Sequence, residues 1–161
     1  MDLIGMSNTL AQPYLAPALF KETYAPLLAR INAIPAIGHL GMTIDDLREG
    51  VCVATMPRPT QMDGIYESYH GGLLTTAADM AACFAVLTQT LADEAVTTTD
   101  LNIRFVAPCL SAVCVTATVI KLGKTLCPVE VRLTNDSGKL VAVGMVTYMR
   151  LPHIPHRQSH P

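Results

Sequence analysis

HGGLLTTAADMAACFAVLTQTL, residues 70–91, is the stretch whose reading decides the fold. After His70 and two glycines it is rich in Ala, Leu and Met, all strong helix formers, so one long helix is expected over Gly71 to Leu91. Everything downstream reads as strand. Val96 to Val106 alternates, with Leu101, Ile103 and Phe105 on one face and Thr98, Asp100, Asn102 and Arg104 on the other. Ala112 to Leu122 is rich in Val and Thr, and Gly123-Lys124 turns the chain into Leu126–Asn135. There Val129, Val131 and Leu133 alternate with Glu130, Arg132 and Thr134. Asn135-Asp136-Ser137-Gly138 is a hairpin signal, and Lys139 to Met149 returns as the last strand.

Upstream, apolar residues recur at helical spacing from Ala18 to Ile34, bounded by Pro17 and Pro35. Pro26 in the middle predicts a kink or two short helices. Gly41 to Arg58 holds two strand-like runs, divided by Asp45-Asp46 and Glu49-Gly50. The first 15 residues form an expected loose arm, and Leu151 to Pro161, rich in Pro and His, an expected frayed tail. One long helix packed on an antiparallel sheet places the chain in the α+β class.

A chain of 161 residues, half hydrophobic and 15% charged, is one stably folded domain, and greasy enough to suggest burial against a second copy. Its net charge of −2 gives no electrostatic case for nucleic acid or an anionic membrane. Met1 to Leu15 has no basic segment or unbroken apolar run, so no secretory leader is expected. Leu73 to Leu91 is too interrupted by polar residues to read as a membrane span. The five cysteines are odd in number and lack CxxC spacing, as for reduced thiols in a cytoplasmic protein.

Asp79 carries the chemical interest. It lies about two turns into an apolar helix, and no Lys or Arg occurs from Gly71 to Ile103, so no local salt bridge is available. A carboxylate in that position either faces water beside Thr75 and Thr76 or has a function. Gly71-Gly72 adds a second feature: a helix N-terminus offers unpaired N–H groups, and glycine lets a substrate carbonyl approach them. Asp79 is roughly 12 Å further along the axis by the helical rise, too far to reach the same atom within one chain. An antiparallel second copy would bring its Asp79 near this Gly71.

His70-Gly71-Gly72 through Asp79, followed by the D-x-N-x-x-F-x-x-P strand from Asp100 to Pro108, resembles the hotdog-fold acyl-CoA thioesterases of the PaaI-like (phenylacetate-pathway, 4-hydroxybenzoyl-CoA thioesterase) group. The likeness extends over the Gly123-Lys124 turn and the Gly138–Gly144 strand, roughly residues 40 to 150. It implies an antiparallel sheet wrapped around one long central helix, with an extra N-terminal helix. The division expected is an arm and helix over 1–39, the thioesterase domain over 40–150 and a flexible tail over 151–161. Implied too are hydrolysis of an acyl-CoA to acid and CoA without a separate cofactor, and a homodimer or dimer of dimers with its site between subunits.

By the same resemblance Asp79 is the catalytic carboxylate, acting as general base or nucleophile, and Gly71 the donor that polarises the carbonyl. Thr98 is an orienting hydroxyl that accompanies Asp79 across the interface, and His70 makes an orienting hydrogen bond. Many members carry Asn or Gln six residues before the histidine, where this chain has Gly64. The loop over residues 64–69 looks about three residues longer than usual, which brings Gln61 into register, with Asp63 second. Gly72, Asp63, Lys124 and Arg104 are the substrate-binding candidates, with Lys121 and Arg150 as further cations for CoA phosphates. The HxxH spacing in the tail, with His153, His156 and His160, lacks the scaffold of a metal site. The competing readings are a non-catalytic acyl-CoA-binding module, favoured by the displaced amide, and a hotdog dehydratase, disfavoured by the lack of a paired Asp and His.

Overall fold

The computed structural model describes residues 17–92 and 94–151. The expected arm, the tail beyond Leu151 and the three tail histidines lie outside the described residues.

Three short helices come first: α1 (Pro17–Thr23), α2 (Ala25–Asn32) and α3 (Pro35–Leu40). Pro26 sits in the first turn of α2, where its missing N–H costs nothing, so the expected helix divides in two. Pro35 does not end the helical region, as its position suggested. It takes the same first-turn place in α3. Phe20, Leu27, Ile31 and Ile37 bury this layer.

Six strands follow in one antiparallel sheet of order β1-β2-β4-β5-β6-β3: β1 (Thr43–Arg48), β2 (Val51–Met56), β3 (Ala95–Phe105), β4 (Val113–Val119), β5 (Leu126–Asn135) and β6 (Leu140–Leu151). Asp45-Asp46 was expected to divide two runs but lies inside β1. A register shift between Ile44 and Asp46 makes Asp45 the extra residue, and Thr55 Oγ1 holds its carboxylate at 2.6 Å. Only Glu49-Gly50 turns the chain, with Gly50 at φ 71°. Inward-facing Val113, Val115, Ala117, Val129, Val131 and Leu133 are wholly buried.

Between β2 and β3 runs α4 (Gly71–Leu87). It packs on β4, β2 and β5 most heavily and reaches β3 and β6. Ala77, Ala78, Ala81, Ala82 and Ala85 are fully buried and allow the sheet to approach closely. The helix stops four residues short of expected Leu91. Thr88 Oγ1 donates to Ala85 O and accepts from Gly50 N, both at 2.7 Å, which ties the helix end to the β1–β2 turn. No helix among the described residues is long and apolar enough to cross a membrane.

Pairing of β3 with β6 depends on close backbone approach at Gly144, where a Cβ would lie 2.4 Å from Asn102 O and 2.8 Å from Ile103 Cγ1. Gly144→Ala should therefore cost about 1–3 kcal/mol, read as a lower urea midpoint. Glu94, just before β3, is paired with Arg150, whose hydrogen bonds hold the Glu94 carboxyl below its usual range. A depressed folded pKa stabilises above the pH at which the unfolded glutamate titrates, and that stability is lost as pH falls through the folded value. Wild type should thus exceed Glu94→Gln in Tm at neutral pH, with the gap closing on acidification.

Candidate active site

At the N-terminus of α4 the backbone donors are used unevenly. His70 Nδ1 accepts from Gly72 N at 3.0 Å, and the His70 carbonyl accepts from Leu73 and Leu74 at 2.9 and 3.2 Å. A ring nitrogen that accepts is unprotonated, so the neutral ring carries its proton on Nε2. Gly71 N is left as the first-turn amide without a partner among the described residues. The Phe105 ring lies against Gly71, where a Cβ would come within 3.3 Å of it. Beside them a cavity of about 260 Å³ is lined by Ser68, Tyr69, Gly71, Leu74, Phe105 and Pro108, among others.

The preceding loop is held by Arg58. Its guanidinium grips both Asp63 oxygens, at 2.7 and 2.5 Å, and donates to Glu67 O and Leu110 O at 2.7 Å each. Both side chains are largely buried, and neither Asp63 oxygen is left without the guanidinium. His70 N bonds to Met62 O, while Gly64 N bonds to Ser68 O and Glu67 takes a left-handed φ of 52°. Residues 64–68 thus close on themselves as a turn. Gln61, exposed in the 3-10 turn Thr60–Met62, stands one residue from the Met62–His70 contact.

Asp79 is half-buried on the α4 face that meets β3 and β6. Its Oδ1 accepts from Thr98 Oγ1 at 2.9 Å and from the Tyr148 phenol at 2.6 Å. Its Oδ2 accepts from no described residue. Thr75 and Thr76 turn their hydroxyls back onto Gly71 O and Gly72 O, so they do not share a polar face with Asp79 through contact. Strict alternation would have placed Thr98 with Asp100 on the opposite side of the sheet. A bulge between Thr98 and Asp100 overturns that: Thr99 is the extra residue, and Thr98 pairs with inward-facing Tyr148.

Tyr148 was not singled out by the sequence. The available signal was a polar-tipped ring in the inward series Ala142, Gly144, Val146, Tyr148, since a buried tyrosine hydroxyl needs a partner. Burial pushes its phenol up, helped by Cys83 and by the hydrogen bond to Asp79. Burial, and then the Asp79 charge, push the Cys83 thiol up to about 11, so it is no thiolate nucleophile near neutrality.

The candidate cations are not gathered at this site. Arg104 points to the outer face of the sheet with Arg132 and Glu130, and bonds Asn102 Oδ1 at 2.6 Å. Arg150 is engaged by Glu94 and by Gly123 O, while Lys121 and Lys124 are exposed.

The family model described as "Thioesterase superfamily" matches residues 66–142. Human acyl-coenzyme A thioesterase 13 is 31% identical over 109 residues, which cover 66% of this chain and 77% of that protein. Acyl-coenzyme A thioesterase PaaI of Escherichia coli strain K12 is 35% identical over 106 residues, covering 65% and 74%. The solved structure of the E. coli PaaI protein from the phenylacetic acid degradation operon superposes with a TM-score of 0.76 at 26% identity, over 84% of this chain and 97% of that one. A thioesterase from Haemophilus influenzae shares the fold with a TM-score of 0.74 at 24% identity, over 81% and 92%.

The Arg58 clamp has a measurable consequence. Arg58→Ala leaves a buried carboxylate unpaired and should cost about 3 kcal/mol, part of which Arg58→Ala/Asp63→Ala should recover. Amide exchange should quicken at Gly64 and from Glu67 to His70.

Proposed function

Because the chain belongs to the PaaI-like acyl-CoA thioesterases of the thioesterase superfamily, with their hotdog fold, we propose that it hydrolyses an acyl-CoA to the free acid and CoA at a site shared by two subunits. The observation that carries this reading is the division of labour along α4. Among the described residues the Gly71 amide has no partner, and the Asp79 carboxylate keeps one oxygen free.

Gly71 N–H donates to the thioester carbonyl and holds the oxyanion as it forms. Asp79 takes a proton from water as water attacks, the C–S bond breaks, and that proton passes to the departing sulfur, so that CoA leaves as the thiol. In the nucleophilic variant of this scheme Oδ2 attacks the carbonyl carbon itself, and the C–S bond breaks to release the CoA thiolate. Water then hydrolyses the mixed anhydride, which returns the Asp79 carboxylate and leaves its proton for the thiolate. His70 keeps the helix terminus in place through its cap, and Gln61 supplies the amide that Gly64 does not. Among the cations Lys124 has the turn position to meet CoA phosphates, and Gly72, next to the donor, gives the substrate room. No metal or resident cofactor enters the scheme. We place the protein in the cytoplasm, where its thiols remain reduced.

One rigid helix holds Gly71 and Asp79 about 12 Å apart, so they serve one substrate only across an interface. β3 is the sheet's long unpaired edge, a template for pairing with another strand. Along it Gly71 lies by Phe105 and Asp79 by Thr98. Antiparallel pairing of two β3 strands about Asn102 sets each Gly71 end beside the partner copy's Asp79 end. Exposed Ile65, Tyr66, Phe105, Val106 and Leu110 stand around the same end of α4 and would gain cover there.

Purified protein assayed against a panel of acyl-CoAs should release free thiol, and Asp79→Asn should lose about 10²–10⁴-fold in kcat. Binding without cleavage would favour the acyl-CoA-binding module. Co-expression of Gly71→Val with Asp79→Asn, each inactive alone, should restore about a quarter of the activity through random isologous pairing. A monomer by light scattering, or no complementation, would remove the shared site.

A further inference from the structure

We propose that Tyr148 is a positioning residue for this hydrolysis, fixing the Asp79 carboxylate so that Oδ2 is the oxygen presented to water or to the acyl carbon. The inference rests on the reading of Asp79 given above and extends it to a residue on another strand.

Tyr148 and Thr98 are direct cross-strand partners on β6 and β3, and the Thr99 bulge turns the Thr98 hydroxyl toward α4, the side that Tyr148 faces by the alternation of β6. Both donate to the same atom, Oδ1. The Tyr148 ring is only 2% exposed, so surrounding core atoms hold it in one orientation. Its oxygen also lies 2.7 Å from the Asp79 carbonyl, placing it over the backbone and carboxylate of the same residue at once. The single phenolic proton serves the charged acceptor, where a hydrogen bond is strongest. With its pKa raised by burial, the phenol stays a donor throughout the working range and cannot compete with Asp79 as a base.

Two neutral donors on one oxygen do two things. They stabilise the carboxylate without a cation that would neutralise it, and they stop it rotating to exchange Oδ1 with Oδ2. Thr98 alone leaves the carboxylate free to pivot about a single hydrogen bond. Tyr148 supplies the rigid half of the grip.

Tyr148→Phe keeps the ring and removes only the hydroxyl. With any acyl-CoA that wild type cleaves, kcat should fall about 10- to 100-fold, the worth of one hydrogen bond to a charged group, while KM changes by less than about twofold. In an Asp79→Asn background the same substitution should have no further effect, since Tyr148 acts through Asp79. Wild-type kcat in Tyr148→Phe, or an equal loss in both backgrounds, overturns the proposal and leaves the function intact. A fully active Asp79→Asn instead overturns the reading of Asp79 and this inference with it. Should Tyr148→Phe not fold, Asp79→Glu keeps the charge but shifts the carboxylate by one methylene off the hydroxyls. A kcat loss at unchanged KM is expected there, and retention of wild-type kcat overturns the proposal.

Discussion

Burial of α4 is the constraint on which the rest of the structure depends. A helix that buries Ala77, Ala78, Ala81, Ala82, Phe84, Ala85 and Val86 turns most of its surface away from water, and the sheet supplies its cover. Small side chains bring the helix close to the sheet along most of its length. That closeness fixes its direction relative to β3, with the Gly71 end at Phe105 and Asp79 at Thr98. The two groups with chemical potential are therefore placed by packing. Thr88, gripping both Ala85 O and Gly50 N, keeps the far end from sliding.

The same packing creates a difficulty at Asp79, a charge in an apolar layer, and the chain contains three different answers to that difficulty. Asp63 is gripped at both oxygens by Arg58 and has become part of a loop clamp. Asp46, 4% exposed, lies beside Arg48, with Nε 2.8 Å from its Oδ2. Among the described residues Asp79 meets no cation, only hydroxyls, and only on one oxygen. A bidentate guanidinium stabilises a carboxylate and occupies the lone pairs that a base or nucleophile needs. Neutral donors on Oδ1 stabilise less and leave Oδ2 available. The choice of partner thus decides how much of each carboxylate stays open to a further donor.

Much of the fold was legible in residue order. The α4 pattern, the alternation in β5 and the Asn135–Gly138 turn, with Gly138 at φ 77°, each specify their element through local physics. The departures share a cause, since each depends on partners distant in sequence. Pro35 reads as a terminator unless the following residues are known to dock as α3. Asp45-Asp46 reads as a break until Thr55, across the strand pair, is seen to receive Asp45. Alternation along β3 assigned Thr98 to the wrong face because a bulge has no sequence mark as plain as a glycine here. At the site, Asp79, Gly71 and His70 could be singled out because they lie within ten residues of one another. Tyr148, sixty-nine positions from its acceptor, could not.

The loop before α4 shows how a long connection can leave a helix N-terminus in place. Residues 64–68 form a self-closed turn, and the chain on either side meets again through Met62 O and His70 N. Extra length is thereby taken up outside the line from β2 to the helix N-terminus. The His70 cap and the free Gly71 amide depend on that line, not on the excursion. Arg58 keeps the excursion from collapsing onto the helix end, since it anchors Asp63 and Glu67 O to Leu110 O at the opposite wall. Ile65 and Tyr66, 90% and 87% exposed, are then held out at the tip. Two large side chains are thereby kept exposed on a clamped turn, close in sequence to Ser68 and Tyr69 of the cavity lining. The length of the loop is thus absorbed while the Gly71 amide and the Asp79 carboxylate stay where helix packing puts them.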